Sequence, residues 1–207
     1  MTGLSGLGGM VRERTMRHPR GVLGRLGGLL MLLWNRDQEV RMVARAALLD
    51  GDRVLVVGSG PGLGVRLAAD AVAPTGRVIA VDPSPAMRDM TARRCARAIA
   101  AGVVEVREGA AEHTGCPSGS VDVVIAVNNV AMWDQEAGFA ELARVLRPGG
   151  RLLIDAHRHA LDVSPAHLAN AVGQLNATGV AAGFRNVAVT VHDHRFSDKS
   201  VELVAYR

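Results

Sequence analysis

The reading of the chain turns on Arg53-Val54-Leu55-Val56-Val57-Gly58-Ser59-Gly60-Pro61-Gly62. An unbroken apolar run that stops at a glycine is the pattern of a strand buried on both faces of a parallel sheet. The glycines that follow let the backbone turn sharply and approach a ligand closely, because no Cβ intervenes. A helix starting near Gly62 would aim its N-terminal amides at the same spot. A glycine-rich loop alone is a weak signal; a strand before it and a helix after it make it stronger.

Downstream the pattern repeats. Gly76-Arg77-Val78-Ile79-Ala80-Val81, Val103-Val104-Glu105-Val106, Val121 to Val127 and Arg151-Leu152-Leu153-Ile154-Asp155 read as further buried strands. Pro148-Gly149-Gly150 reads as a helix stop and turn before the last of these. Phe139, Leu142, Ala143 and Leu146, and later Leu168, Val172 and Leu175, recur at the spacing of one helix face. Alternating β and α segments predict a mainly parallel sheet with helices on both faces, because parallel strands need crossover connections. Val187 to Val191 and Val201 to Tyr206 break the rhythm: they leave no room for a helix between them, so the chain must turn back as an antiparallel pair.

Upstream, Leu23, Leu26, Leu29, Leu30 and Leu33 space as an amphipathic helix, weakened by Gly24, Gly27 and Gly28. Val40, Val43, Ala44 and Ala47 space as a second helix, stopped near Asp50-Gly51. Residues 1–50 are therefore expected to form a helical cap or lid on the open end of the sheet, within one domain whose body is 51–207.

The 207 residues fit one domain, and an apolar fraction of 48% excludes disorder as a whole-chain reading. Aromatics are only 3%, so Leu, Val, Ala and Met must supply most of the core. A net charge of +4 is modest, and the basic cluster Arg12, Arg14, Arg17, Arg20 and Arg25 lacks interleaved aromatics, which argues against a nucleic-acid partner. Cys95 and Cys116 are the only cysteines and lie at no metal-ligand or framework spacing, so neither a metal site nor a disulfide is expected. The apolar run Leu29 to Trp34 is too short to span a bilayer and is followed by Asn35-Arg36-Asp37 rather than by a small-residue cleavage site. The expectation is a cytoplasmic protein without a membrane partner, a monomer or homodimer.

Asp82, at the end of the second strand, is placed where an acid accepts hydrogen bonds from both ribose hydroxyls of a nucleotide. The lesser, competing account is a helix cap, with Ser84 and Pro85 opening the helix. A nicotinamide cofactor would use the same parts, but the position of the third dinucleotide glycine is Leu63, where a diphosphate needs close packing.

From about Arg53 to Arg151 the chain resembles the class I S-adenosylmethionine-dependent methyltransferases, in the branch of small-molecule and quinone methylation. The resemblance is carried in order by Val54 to Gly62, Val81-Asp82-Pro83-Ser84-Pro85-Ala86-Met87, Glu108-Gly109-Ala110-Ala111-Glu112, Val121-Asp122-Val123-Val124 and Arg144-Val145-Leu146-Arg147-Pro148-Gly149-Gly150-Arg151-Leu152. It implies an α/β, Rossmann-like, seven-stranded and mainly parallel sheet with an antiparallel C-terminal strand. It implies S-adenosyl-L-methionine as cofactor, with Gly58, Ser59, Gly60 and Gly62 under the methionine and ribose, Asp82 and Pro83 at the ribose, and Met87 near the adenine. Ala110 and Ala111 would line the adenine edge, and Asn128 would stand where the cofactor amino group and the substrate meet. Two positions depart from the pattern: Val56 stands where the family usually has an acid, and Ala110 where it often has Asp.

Methyl transfer from a sulfonium needs a general base only when the nucleophile must lose a proton. His157 is the first candidate base and His159 the second, both following the fifth strand in Asp155-Ala156-His157-Arg158-His159, with Asp155 able to orient His157 if strand alternation continues. An ordinary polar loop is the competing account, and His113 stands under the same doubt. His192 and His194 fall in the final hairpin. Trp34, Asn35, Asn129 and Trp133 are candidate walls of a pocket for a small, apolar or aromatic substrate, and core packing explains Trp34 as well. The rivals to a methyltransferase are a cofactor-binding relative that transfers no methyl group, such as a cyclase or isomerase, and a non-catalytic partner protein.

Overall fold

The computed structural model describes residues 35–193 and 199–207. Trp34, His194 and the helix expected over Leu23 to Leu33 lie outside the described residues. The strands are β1 (Arg53–Val57), β2 (Arg77–Val81), β3 (Val104–Arg107), β4 (Val121–Val127), β5 (Leu146–His157), β6 (Arg185–His192) and β7 (Ser200–Tyr206). The helices are α1 (Arg36–Arg45), α2 (Leu63–Val72), α3 (Pro85–Arg94), α4 (Ala96–Ala100), α5 (Gln135–Val145) and α6 (Leu168–Ala181).

All strands join one seven-stranded sheet in the order β3-β2-β1-β4-β5-β7-β6. The pairs from β3 to β5 are parallel, and β7 runs antiparallel to both β5 and β6. The strand order reverses between β1 and β4, which opens a crevice at the carboxyl ends of those two strands; ligands bind at such a switch point.

Strand alternation builds two cores. Leu55, Val57, Val124, Ala126, Ile154 and Leu203 pack with Phe139 and Leu142 of α5 and Leu168 and Leu175 of α6. Val54, Val56, Val78, Val123, Ile125 and Leu153 pack on the other face with Met42 of α1 and Val65, Ala68 and Val72 of α2. Small β-branched side chains fill both layers, with Phe139 and Phe184 meeting edge to face at 6.2 Å in the first.

Three expectations are corrected. Leu146 belongs to β5 and not to the helix face it was spaced with, because α5 ends at Val145 and Leu146 pairs with Val121 across the sheet. Pro148-Gly149-Gly150 is therefore an irregular stretch inside β5, with the register shifting opposite Val121 and Val123, rather than a turn ahead of the strand. In α1 the buried positions are Gln38 and Met42, with Val40 43% exposed; the helix follows an i, i+4 stripe that begins at a polar residue, and it ends at Arg45.

Candidate active site

At the switch point the chain from Val57 to Gly62 is held through its own backbone groups, by both backbone and side-chain partners. The amides of Gly58 and Ser59 both donate to the carbonyl of Val81, at 2.8 and 3.1 Å, and that of Gly62 to the carbonyl of Ser59 at 3.0 Å. Gly58, Gly60 and Gly62 all take positive φ, +65°, +51° and +84°. At Gly62 a Cβ would stand 2.7 Å from Cα of Thr91, a backbone atom that cannot yield. At Gly58 it would collide with the side-chain amide of Asn129, which donates to the carbonyl of Val57 at 2.6 Å. At Gly60 it would meet nothing within 4 Å, so this glycine faces open space.

Asp82 and Ser84 divide two tasks. Ser84 is the N-cap of α3, its side chain accepting from the amide of Met87. Asp82 is thus not the helix cap: its Oδ2 accepts the amide of Gly60 at 3.0 Å and its Oδ1 that of Ser84 at 2.8 Å. A carboxylate can accept about four hydrogen bonds. These two fix its orientation at the loop's open face, and the residue is only 6% exposed.

Helix α3 supports the loop from beneath, through residues the sequence reading missed. Thr91, fully buried, donates from Oγ1 to the carbonyl of Gly60 at 2.9 Å and lies 3.2 Å from Oγ of Ser59. Ser59 is itself 3% exposed, so its hydroxyl serves the support and its backbone the loop. Nε of Arg94 donates to the carbonyl of Pro61 at 2.9 Å, and Sγ of Cys95 lies 3.9 Å from the carbonyl of Gly62. The signal for Thr91 was faint: a lone β-branched polar residue in a helix with several arginines.

Around the rim, Pro83 is exposed and Met87 is 2% exposed. Ala110 is tied to His113 by two backbone hydrogen bonds, at 3.2 and 3.1 Å, which keep this connection tight with the His113 side chain exposed. Ala111 is buried and faces the same spot on α5, at Gly138, that Trp133 covers. Trp133, half-buried, meets Phe139 edge to face at 6.4 Å, so one side of the indole is core. Glu141 of α5 pins the connection further on, accepting the amide and hydroxyl of Thr114 at 3.0 and 2.7 Å and ion-pairing with Arg144 at 2.7 Å. Burial opposes ionisation of Glu141, but these hydrogen bonds and Arg144 outweigh it and hold the carboxyl down at about 2.

At the carboxyl ends of β4 and β5 the polar groups come from three distant segments. Asn128, at φ +57°, donates from Nδ2 to Oε1 of Gln38 at 2.6 Å. Its Oδ1 accepts the backbone amide of His157 at 2.8 Å. Gln38, 1% exposed, was not foreseen; no spacing rule marks a lone glutamine. Asp155 and His157 point to one face of β5, as the alternation required, and both are buried. Burial pushes the Asp155 carboxyl up, while hydrogen bonds from Gln38 and Ser200 and the charge of Arg41 pull the other way. The rings of His157 and His159 stack with centroids 5.1 Å apart. Asn35 is the half-buried N-cap of α1, and His192 ends β6 beside Glu202, opposite Ser200, which pairs on its other side with His157.

A cavity of about 320 Å³ lies at the opposite ends of the strands, lined by Arg53, Arg77, Glu105 and Arg107 among others, and contains none of the residues expected at the site. Among the described residues no group of histidine, cysteine or acidic side chains is arranged to hold a metal ion, and no helix is long and apolar enough to cross a membrane.

The glycine loop locked to Asp82 at a switch point coincides with the stretch matched by a family model, a methyltransferase domain covering residues 55–154. Residues 55–154 carry the methyltransferase domain, of the class I S-adenosylmethionine-dependent kind. It is 28% identical over 165 residues to the uncharacterized methyltransferase YdaC of Bacillus subtilis, 79% of this chain and 88% of that one. It is 33% identical over 130 residues to the ubiquinone/menaquinone biosynthesis C-methyltransferase UbiE of Ectopseudomonas mendocina, 62% of this chain but only 49% of that protein. In fold it matches phosphoethanolamine N-methyltransferase 2 of Haemonchus contortus, solved with S-adenosyl-L-methionine, at a TM-score of 0.74 and 16% identity, over 96% of this chain and 59% of that one.

S-adenosylmethionine is the cofactor of this family, and the residues here fit it. The open face at Gly60, the oriented carboxylate of Asp82 and the buried Oδ1 of Asn129, which has no hydrogen-bond partner among the described residues, line one end of β1 and β4.

Proposed function

We propose that this methyltransferase moves the methyl group of S-adenosylmethionine to a small, apolar or aromatic metabolite bound beyond the ends of β4 and β5. The observation that carries the reading is the hydrogen bond from the Gly60 amide to Asp82, which joins loop and acid into one rigid cradle. When bound, the cofactor supplies an activated sulfonium methyl group.

The rest falls to the chain. Gly58 to Gly62 offer close backbone approach, and Asp82 and Pro83 receive the ribose. Met87, Ala110 and Ala111 border the base, with Ala110 contributing only its backbone. Asn128 and Asn129 stand between cofactor and acceptor. Trp133 and Asn35 wall the acceptor side, an arrangement suited to an apolar body with a polar edge. His157, buried and stacked on His159, is the candidate to take a proton from the acceptor, positioned by its backbone bond to Asn128. The segment before the sheet, α1 included, acts as the lid, and the site of action is the cytoplasm.

Calorimetric titration with S-adenosylhomocysteine, alongside NAD and an Asp82→Ala variant, tests this. Micromolar binding of the first ligand alone, weakened about a hundredfold in the variant, is expected. Formation of S-adenosylhomocysteine from S-adenosylmethionine over a panel of phenols and quinols then finds the acceptor class. Absence of binding in the wild-type protein overturns the reading.

A further inference from the structure

Glu39 is a carboxylate in an unusual place. It projects from α1 onto α2, where its Oε2 occupies the space that a Cβ of Gly64 would fill, so a side chain at position 64 would displace the carboxylate. The amide of Gly64 donates to this carboxylate. Gly64 is the second residue of α2, and Gly62, the N-cap, provides no side-chain hydrogen bond, so the amide would otherwise be an orphan.

Satisfying one amide does not account for a charge here. Burial pushes the Glu39 carboxyl up to about 7, with the Gly64 amide and the charge of Arg94 only partly offsetting it. Arg94 is itself engaged, its Nε bonded to the carbonyl of Pro61. In the free protein the ionised form of Glu39 is thus a cost. The cost makes sense where a cation arrives later, and the cofactor read above carries two positive charges, on its sulfonium and on its α-ammonium.

The position fits the one gap in the cradle. Val56, the apolar residue where the family usually has an acid, points into the same layer as α1 and α2, packed in one cluster with Met42 and Val65. Met42 lies on α1 one turn beyond Glu39, and Val65 directly follows Gly64. The first turn of α1 stands at the carboxyl end of the sheet, because Gln38, next to Glu39, bonds Asn128 just beyond β4, while Asp82 holds the glycine loop through Gly60 and Ser84.

We propose that Glu39 is a cofactor-positioning residue whose carboxylate, set against the Gly64 amide, balances the α-ammonium of bound S-adenosylmethionine in place of an acid at Val56. The inference rests on the cofactor reading and deepens it.

Glu39→Gln tests it, because glutamine keeps an acceptor for the Gly64 amide and removes only the charge. At pH 8, binding of S-adenosylmethionine and of S-adenosylhomocysteine, both of which carry the ammonium, should weaken about tenfold by calorimetry. The thermal midpoint of the ligand-free variant should hold or rise, since a carboxyl with a raised folded pKa loses stability as pH climbs through that interval. Unchanged binding overturns the inference, and so does weaker binding accompanied by a lower midpoint, which would mark Glu39 as a structural cap. A wild-type protein that binds neither ligand removes the cofactor reading itself, whereas wild-type binding with an indifferent variant removes only the role of Glu39.

Discussion

The two ends of the crevice are built by different means. At the β1–β2 end, the backbone of the loop after β1 is held by the carbonyl of Val81 and the side chains of Asp82, Thr91 and Arg94, all from the next strand and helix. At the β4–β5 end, the Asn128 side chain accepts the backbone amide of His157 within one βαβ unit and donates to Gln38 of α1 across 90 residues. The first arrangement belongs to one βαβ unit and forms whenever that unit forms. The second is completed only when α1 docks on the finished sheet and brings Gln38 to Asn128. On the proposed reading, the cofactor, common to many enzymes, is met by the first end, and the acceptor, which differs among them, by the end that α1 completes.

The comparison breaks first at Gly62. Gly62→Ala forces a side chain into a left-handed conformation and against the backbone of Thr91. It should cost about 4 kcal/mol of stability and abolish cofactor binding, read by urea denaturation and calorimetry. If it is tolerated, the loop is not the rigid element described here.

A smaller effect is expected where α5 anchors the connection that carries Ala110 and Ala111. The folded pKa of Glu141, about 2, lies below its ordinary value of 4.5, so its contribution is complete above 4.5 and is lost as pH falls toward 2. Denaturation series should show the wild type losing on the order of 3 kcal/mol over that window relative to Glu141→Gln. Parallel curves for the two proteins would mean that Thr114 and Arg144 do not hold the carboxylate.

The smallest effect sharpens the contrast between the ends. Gln38→Ala strands the Asn128 amide in a buried setting and should cost about 2 kcal/mol. Because Gln38 lies outside the glycine loop, affinity for S-adenosylhomocysteine should change less than about threefold, while turnover of an acceptor falls by about tenfold. An equal loss in both would show that the two ends are one cooperative unit.

Much of this was legible in the residues themselves. Strands β1, β2 and β4, the glycine loop, the acid at 82 and the reversal between β6 and β7 announce themselves because apolar runs, glycines and loop lengths are local properties that backbone sterics read directly. Where a local rule met a competing tertiary demand it failed. Leu146 kept a helix spacing, yet pairing with Val121 drew it into β5, and the face of α1 was set by what it docks on rather than by its valines.

The sequence by itself determined the order of elements, the sheet they must form and the cradle at its switch point, since these follow from hydrophobic periodicity and from which residues tolerate positive φ. Only the tertiary structure decided that Ser84 rather than Asp82 caps α3, that Thr91 carries the loop, and that Gln38 and Glu39 of one helix reach opposite partners, Asn128 and Gly64. Those pairings depend on the angle at which helices settle on the sheet, and that angle is fixed by the packing of whole faces, which no single stretch of chain contains.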